Sequence, residues 1–335
     1  MRDIARRLAI DQSTVSLALR NHPRISEELR LKVSETAKEM GYRPDAMLSA
    51  LAHYRRAHIE KPVTAELAWI NRWSPPSLLR GHREFDAYWR GAAETARLNG
   101  FDLEEFAVGP GLSLDQLNKV LKARNIHGLL IPPARGALDW AGLEWERYAV
   151  VRFGYTNNNL PVHSVTIDQL SAGLLAFEKA YEKGYRRIGY ATGWRQALAS
   201  RFAAGFLFGQ ARCPEAVPLP ILSIAEADRA GDVKKLGAWL KKTKADAIFT
   251  TIGNMRELLG EAGYRVPQDI GLIASTVLDS DSDTGIDQNG KELGKIAVET
   301  LISLINHDHR GIPQVCRMNS VQVQWVEGTC LPSRV

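Results

Sequence analysis

Three cysteines in 335 residues leave little material for a disulfide scaffold. Cys213, Cys316 and Cys330 are odd in number and lack metal-like spacing, so they read as reduced structural thiols. No apolar run approaches the ~20 residues of a membrane-spanning helix. The first residues carry charge where a secretory signal would carry an apolar core. These absences argue against membrane and secreted classes and point to the cytoplasm. There is no Gly-x-Gly-x-x-Gly, no phosphate-binding Gly-Lys-Ser/Thr and no nucleophile elbow, so neither an enzyme nor a cofactor is expected. The histidines are scattered. His307-Asp308-His309 reads as a solvated helix end rather than a metal site. Asp279-Ser280-Asp281-Ser282-Asp283 lacks the glycine and distal glutamate of a calcium loop and reads as a flexible acidic loop.

What is present is an ordinary globular composition, 45% hydrophobic and 24% charged, long enough for two to three domains. The net charge of +5 is unevenly placed. Residues 1–61 hold 12 Lys and Arg against 8 Asp and Glu; the remainder holds 31 against 30. An excess of cations at one end suits phosphate contacts, although a solvated basic surface has the same composition.

That end carries the most informative pattern. Asp3 to Ala9 places Ile4, Ala5 and Leu8 on one helical face. Ile10-Asp11-Gln12 is a tight turn. A second helix from Ser13 to Arg20 turns Val15, Ala18 and Leu19 inward and leaves Gln12, Ser13, Thr14 and Ser16 outside. Asn21-His22-Pro23 stops it. Ser26 caps a third helix with Leu29, Val33, Ala37 and Met40 on one face, ended by Gly41. Small polar side chains at the exposed start of the second helix suit base edges in a major groove.

These residues resemble the lactose/galactose repressor family of bacterial transcription regulators. The likeness rests on Asp3-Ile4-Ala5, Ser13 to Leu19, Arg24-Ile25-Ser26 and Gly41-Tyr42-Arg43-Pro44. It implies that Gln12, Ser13, Thr14, Ser16, Leu17, Arg20 and Tyr42 face DNA. It also implies that Asp45 to Arg56 is a hinge helix whose Leu51, supported by Leu48, wedges into the minor groove. A linker helix packed on the next domain is the plainer reading of the same residues. Many members carry arginine where this chain has Leu17.

From residue 64 strands and helices alternate in about eight units. The strands are expected at 65–70, 101–108, 128–131, 148–153, 165–167, 187–191, 247–250 and 270–274, with helices at 84–99, 113–124, 169–183, 198–210, 254–262 and 291–306. Such alternation implies parallel sheets and right-handed crossovers, and this number of units implies two lobes. Gly184 to Gly189 and Gly263 to Gly271 resemble the periplasmic-binding-protein-like core of the same family. The fold class expected is an all-α helix-turn-helix headpiece (1–44), a hinge helix and linker (45–63), and a two-lobed α/β core (64–335).

In open α/β sheets ligands bind beyond the carboxyl ends of the strands. The candidate effector residues are therefore Asn71, Trp73, Phe85, Phe153, Trp194, Arg201, Ser275 and Asp279. The family's effector arginine aligns with Phe202 here, and Arg201 is its neighbour; an effector contact and a surface salt bridge are both open to it. The strand that usually ends near a ligand-binding aspartate ends here in Ser275-Thr276. The resemblance implies a homodimeric repressor that binds a pseudo-palindromic double-stranded operator and no membrane. A small-molecule effector, a sugar or sugar derivative, sits between the lobes. A binding protein without a gene-regulatory role and a cleft enzyme are the rival readings.

One outcome follows for DNA. Leu17→Arg should move selected sites toward guanine at one position per half-site, because a bidentate Arg–guanine pair discriminates by about 1–3 kcal/mol. Site selection from random DNA measures it; unchanged sites would place this helix outside the groove.

Overall fold

The computed structural model describes residues 2–19, 25–40, 65–134, 138–156, 160–193, 196–225 and 227–334. Arg20, Tyr42, Leu48, Leu51 and the expected hinge helix lie outside them, and of Ser16 only the backbone is described.

Three helices form the headpiece: α1 (Arg2–Leu8), α2 (Gln12–Ala18) and α3 (Glu27–Glu39). Ile4, Ala5, Val15, Ala18, Val33 and Ala37 meet in one small core. Ala9 takes a left-handed backbone, φ 53°, which reverses the chain after α1. The turn is therefore one residue earlier than expected, and Gln12 is the first residue of α2. Gln12 and Ser13 are exposed, and Thr14 and Leu17 are half-buried. The Ser26 hydroxyl accepts from the Leu29 N–H at 3.4 Å and caps α3, with Glu27 and Glu28 in its first turn where the helix dipole favours them. Met40, expected on the inner face, is exposed.

The core has two six-stranded sheets. The first holds β1 (Ala65–Asn71), β2 (Phe101–Ala107), β3 (Gly128–Ile131), β4 (Ala149–Phe153), β5 (His163–Ile167) and β11 (Met318–Val321). Their order is β11-β5-β4-β3-β1-β2, all parallel. The second holds β6 (Ile188–Thr192), β7 (Leu222–Ser223), β8 (Ala247–Thr250), β9 (Gly271–Ala274), β10 (Gly285–Asp287) and β12 (Gln324–Val326). Its order is β12-β10-β9-β8-β6-β7, with β12 antiparallel to β10. Strands β3, β4, β5, β6, β8 and β9 are buried at every residue, as sheets covered on both faces require.

The helices are α4 (Ser77–Gly81), α5 (Arg83–Leu98), α6 (Leu114–Ala123), α7 (Gln169–Glu182), α8 (Gln196–Arg212), α9 (Arg229–Thr243), α10 (Met255–Glu261) and α11 (Gly290–Asn306). Helix α9 was not expected. Gly231 and Gly237, weak helix formers, lie within it, and apart from Asp232 its buried residues, Leu236, Trp239, Leu240 and Thr243, crowd into the second half. Strands β7, β10, β11 and β12, of two to four residues, are too short to show a period.

The chain passes between the lobes after β5, after β10 and between β11 and β12. These crossings are tied together. The Asp168 N–H donates to the Val321 carbonyl at 2.9 Å, and Asn289 Nδ2 donates to the Gln322 carbonyl at 2.9 Å. Helix α11 follows a strand of the second lobe and packs on the first, against α5. The approach is close because two glycines face it: a Cβ on Gly294 would lie 2.0 Å from the Tyr88 carbonyl, and one on Gly91 2.0 Å from that of Lys291. In the second lobe Gly173 of α7 and Gly205 of α8 do the same. Among the described residues no helix is long and apolar enough to cross a membrane.

Gly294→Ala should therefore cost about 1–3 kcal/mol, since a methyl group there must push two helix backbones apart. Gly260→Ala on α10, with nothing within 4 Å of the added carbon, should be neutral or gain up to about 1 kcal/mol. Chemical denaturation of both variants measures the contrast; equal stabilities would show that the α5–α11 contact is loose.

Candidate ligand cleft

Helix α5 begins at Arg83, and its first N–H groups have no partner within the helix. His82, the residue before it, makes no side-chain cap. The acceptor comes from the other lobe. Asp279, in the loop after β9, takes the Arg83 N–H on Oδ1 at 2.7 Å and the Glu84 N–H on Oδ2 at 3.1 Å. Three residues back in that loop, Thr276 Oγ1 donates to Glu84 Oε2 at 2.8 Å. Two hydrogen-bonded points thus join the lobes on one side of the cleft.

Between the lobes lies a cavity of about 290 Å³. The first lobe contributes His82, Glu84, Phe85 and Tyr88 from the start of α5, and Gly154, Tyr155 and Thr156 after β4. The second contributes Phe202 of α8 and Thr251, Ser275, Thr276 and Asp279 from the ends of β8 and β9. Gln169 and Gln288, at two of the crossings, also line it, and Gln288 Nε2 donates to the Ser275 carbonyl at 2.7 Å. Aromatic faces with a few convergent polar groups are the usual make-up of a small-molecule site.

Glu84 is the unusual member. It is 3% exposed, and while Oε2 is held by Thr276, Oε1 has no hydrogen-bond partner. Burial, with Asp279 and Asp287 nearby, pushes its carboxyl up to about 7 against the lowering effect of the Thr276 hydroxyl. Tyr88 is raised well above the usual phenol range by burial and by the Glu84 and Asp279 carboxyls. Gln169, also buried and also a wall residue, has an unpartnered Oε1.

The structure sorts the expected effector residues. Phe85, Ser275 and Asp279 line the cavity. Both oxygens of Asp279 are already engaged on backbone N–H groups. Asn71 is buried and structural: Nδ2 donates to the Pro76 carbonyl and to Glu105, and Oδ1 accepts from the Trp73 N–H. Trp73 lies a layer behind, with Nε1 on the Pro133 carbonyl and its ring against His82 and Phe85. Phe153 is fully buried, stacked on Tyr88 at 5.4 Å. Arg201 does not reach the cavity wall. Its guanidinium lies 3.6 Å from the ring centroid of Tyr155, a wall residue, as a cation–π pair, and among the described residues no salt bridge joins it. Trp194 lies outside the described residues. Glu84, Gln169 and Gln288 were missed, because no local pattern marks the second residue of a helix or a crossing as a cavity wall; the one signal was an acidic residue in a first turn.

The acidic run is not a flexible loop. Asp279 caps α5, Asp281 accepts from the Glu257 N–H at 3.1 Å, and Asp283 accepts from the N–H groups of Thr329 and Cys330. Burial would raise Asp283, but these bonds outweigh it and hold the carboxyl below the usual range. Among the described residues no group of three His, Cys, Asp or Glu is placed to hold a metal ion.

Glu84 has a consequence for stability. Its pKa rises from 4.5 in the unfolded chain to about 7 in the fold, so the folded state binds the extra proton. Its contribution is complete below pH 4.5 and is lost as pH rises through 7, about 3 kcal/mol in all. Without ligand, Glu84→Gln should match or trail the parent at pH 4.5 and exceed it in melting temperature at pH 8. Thermal denaturation across that range checks the sign; parallel profiles would mean that Glu84 titrates normally.

Comparison with known proteins agrees with this architecture. Residues 1–45 match the description "Bacterial regulatory proteins, lacI family", and residues 177–323 match "Periplasmic binding protein-like domain". The ribose operon repressor of Haemophilus influenzae is 23% identical over 320 residues, 92% of each chain. The transcriptional repressor CytR of Escherichia coli is 23% identical over 93% of this chain and 91% of its own. A structure of the transcriptional regulator CelR with cellobiose has the same fold, with a TM-score of 0.61 and 18% identity, covering 98% of both chains. The lac repressor dimer bound to operator and the anti-inducer ONPF gives 0.57 and 16%, again covering 98% of both. The chain thus joins a lacI-type headpiece to a periplasmic-binding-protein-like core, and over nearly its whole length it is similar to repressors built the same way.

Proposed function

We propose that this chain is a sequence-specific transcriptional repressor, acting as a homodimer in the cytoplasm on a pseudo-palindromic operator and controlled by a small molecule in the interlobe cleft. One observation carries the reading. A single chain joins a helix-turn-helix, with Gln12 and Ser13 facing solvent at the start of α2, to a two-lobed core that encloses a cavity between its lobes. We assign 1–44 to the headpiece, 45–63 to the hinge and linker, and 64–335 to the core. The similarity to CelR, whose structure holds cellobiose, supports a carbohydrate effector. The cleft is read as a binding site, not a catalytic one, in keeping with relatives named as repressors.

The mechanism is linkage. The cavity exists only while the lobes are closed, since its walls come from both. A ligand that fills it favours closure by the difference between its affinities for the closed and open forms. Closure moves the first lobe against the second, and with it the spacing of the paired headpieces and hinge helices. Gln12, Ser13, Thr14, Ser16, Leu17, Arg20 and Tyr42 are assigned to DNA, with Leu51 as the minor-groove wedge and Leu48 behind it.

The test is binding to an operator selected from random DNA, with and without candidate sugars. The selected site should be two-fold symmetric, and its affinity should fall steeply with salt through counterion release. Leu51→Ala should weaken specific binding on the order of 10- to 100-fold and spare non-specific binding, because a wedge matters only where a base step is unstacked. A monomeric footprint, or equal losses in both binding modes, would reject the reading.

A further inference from the structure

We infer that Glu84 is a specificity-determining residue of the cleft: it admits ligands that present a hydrogen-bond donor and turns away ligands that carry negative charge. The inference rests on the cleft being the effector site, and it names the chemical class of that effector as a free, non-anionic polyol or amino sugar rather than a sugar phosphate or sugar acid.

The argument begins with what the cavity lacks. Two side chains on its wall, Glu84 and Gln169, are more than nine-tenths buried, and each has an oxygen without a partner. Both unpartnered atoms are acceptors. A buried acceptor left unpaired is costly, and a ligand donor that pairs it recovers that cost. A polyhydroxylated or amine-bearing ligand supplies several donors at once, whereas an anionic group supplies none.

Charge points the same way. Asp279 faces Glu84 from the loop after β9 and Asp287 from β10. His82 and Tyr88 flank it along α5, and α11 brings Gly290 against Oε1, with Lys291 and Glu292 beyond it exposed. Among the described residues the cavity wall holds two carboxyls and no Lys or Arg. An anion placed there would meet like charge in a poorly solvated space. A hydroxyl relieves the unpaired oxygen, and an ammonium also offsets the neighbouring carboxylates.

Proton coupling follows. Oε2 already accepts from Thr276, so a proton on Glu84 takes Oε1, the oxygen we assign to the ligand's donor. With the group titrating at about 7, roughly nine-tenths is ionised at pH 8 and one-tenth at pH 6. Affinity for a donor ligand should then be about ten-fold tighter at pH 8 than at pH 6.

Calorimetric titration of the full chain decides it, with D-glucose, D-glucosamine and D-glucuronate as one series and D-ribose with D-ribose 5-phosphate as another. Expected is binding by a neutral or amine member at least ten-fold tighter than by its anionic counterpart, weakening as pH falls from 8 to 6. Glu84→Gln should flatten that pH profile and narrow the gap between neutral and anionic members. Thr276→Val, which removes the hydroxyl favouring the ionised form, should move the midpoint upward, a shift that a merely structural role for Glu84 would not produce. An anionic member binding as well as its neutral counterpart, unchanged selectivity in Glu84→Gln, or no binding by any of the five overturns the inference. Operator release measured beside it separates the two readings. An anionic ligand that releases operator sinks this inference and leaves the repressor standing, whereas absence of specific DNA binding sinks the repressor whatever the sugars do.

Discussion

Asp279 spans the cleft with one carboxylate, and the two N–H groups it takes are those that every helix leaves open at its start. The partner for the first turn of α5 lies nearly two hundred residues away in the chain and in the opposite lobe. Three crossings connect the lobes, but crossings alone permit a hinge. The carboxylate on the helix end ties the lobes together at one side of the cavity, whose walls come from both. It also sets Thr276 against Glu84 and so brings a second acidic group into the dry interior.

The two kinds of carboxyl in this region show what decides their behaviour. Asp283 is exposed yet partly desolvated, and donors from Thr329, Cys330 and Thr284 surround it and keep it ionised. Glu84 is buried more deeply, with one donor, and is pushed the other way. Burial acts against charge at both places, and the number of donors reverses the outcome at one. The alternating aspartates at 279, 281 and 283 each tie a different backbone segment to the loop, which is why a run that looks like solvated charge is fixed in place.

The core backs the cavity walls with rings. Tyr88 stacks on Phe153, Phe85 and His82 lean on Trp73, and Phe202 rests on Phe249. Behind these rings, facing glycines let α5 meet α11, and α7 meet α8, almost backbone to backbone. Some residues expected in contact with a ligand, Trp73 and Phe153 among them, thus form the layer behind those that line the cavity. Strand ends converge on the cleft, but each has only one or two positions on its surface, and the sheet alternation turns the others into the core.

Local pattern was enough for much of this protein. The headpiece helices follow from apolar periodicity and from Ser26 at a helix start. The strands at 128–131 and 247–250 follow from short apolar runs that only a sheet covered on both faces can use. Alternation of strand and helix determined the two-lobed parallel architecture, because parallel strands need a crossover between them. Other features depended on contacts between distant segments. The short edge strands are held by pairing with a neighbour, and α9, with two glycines inside it, is held by one buried half-face. That Arg201 covers Tyr155, that Asp279 caps a helix in the other lobe and that Glu84 keeps a bare oxygen were decided by tertiary structure alone. Periodicity reports which side of an element is buried; it carries no information about which element, hundreds of residues away, will supply the missing hydrogen-bond partner.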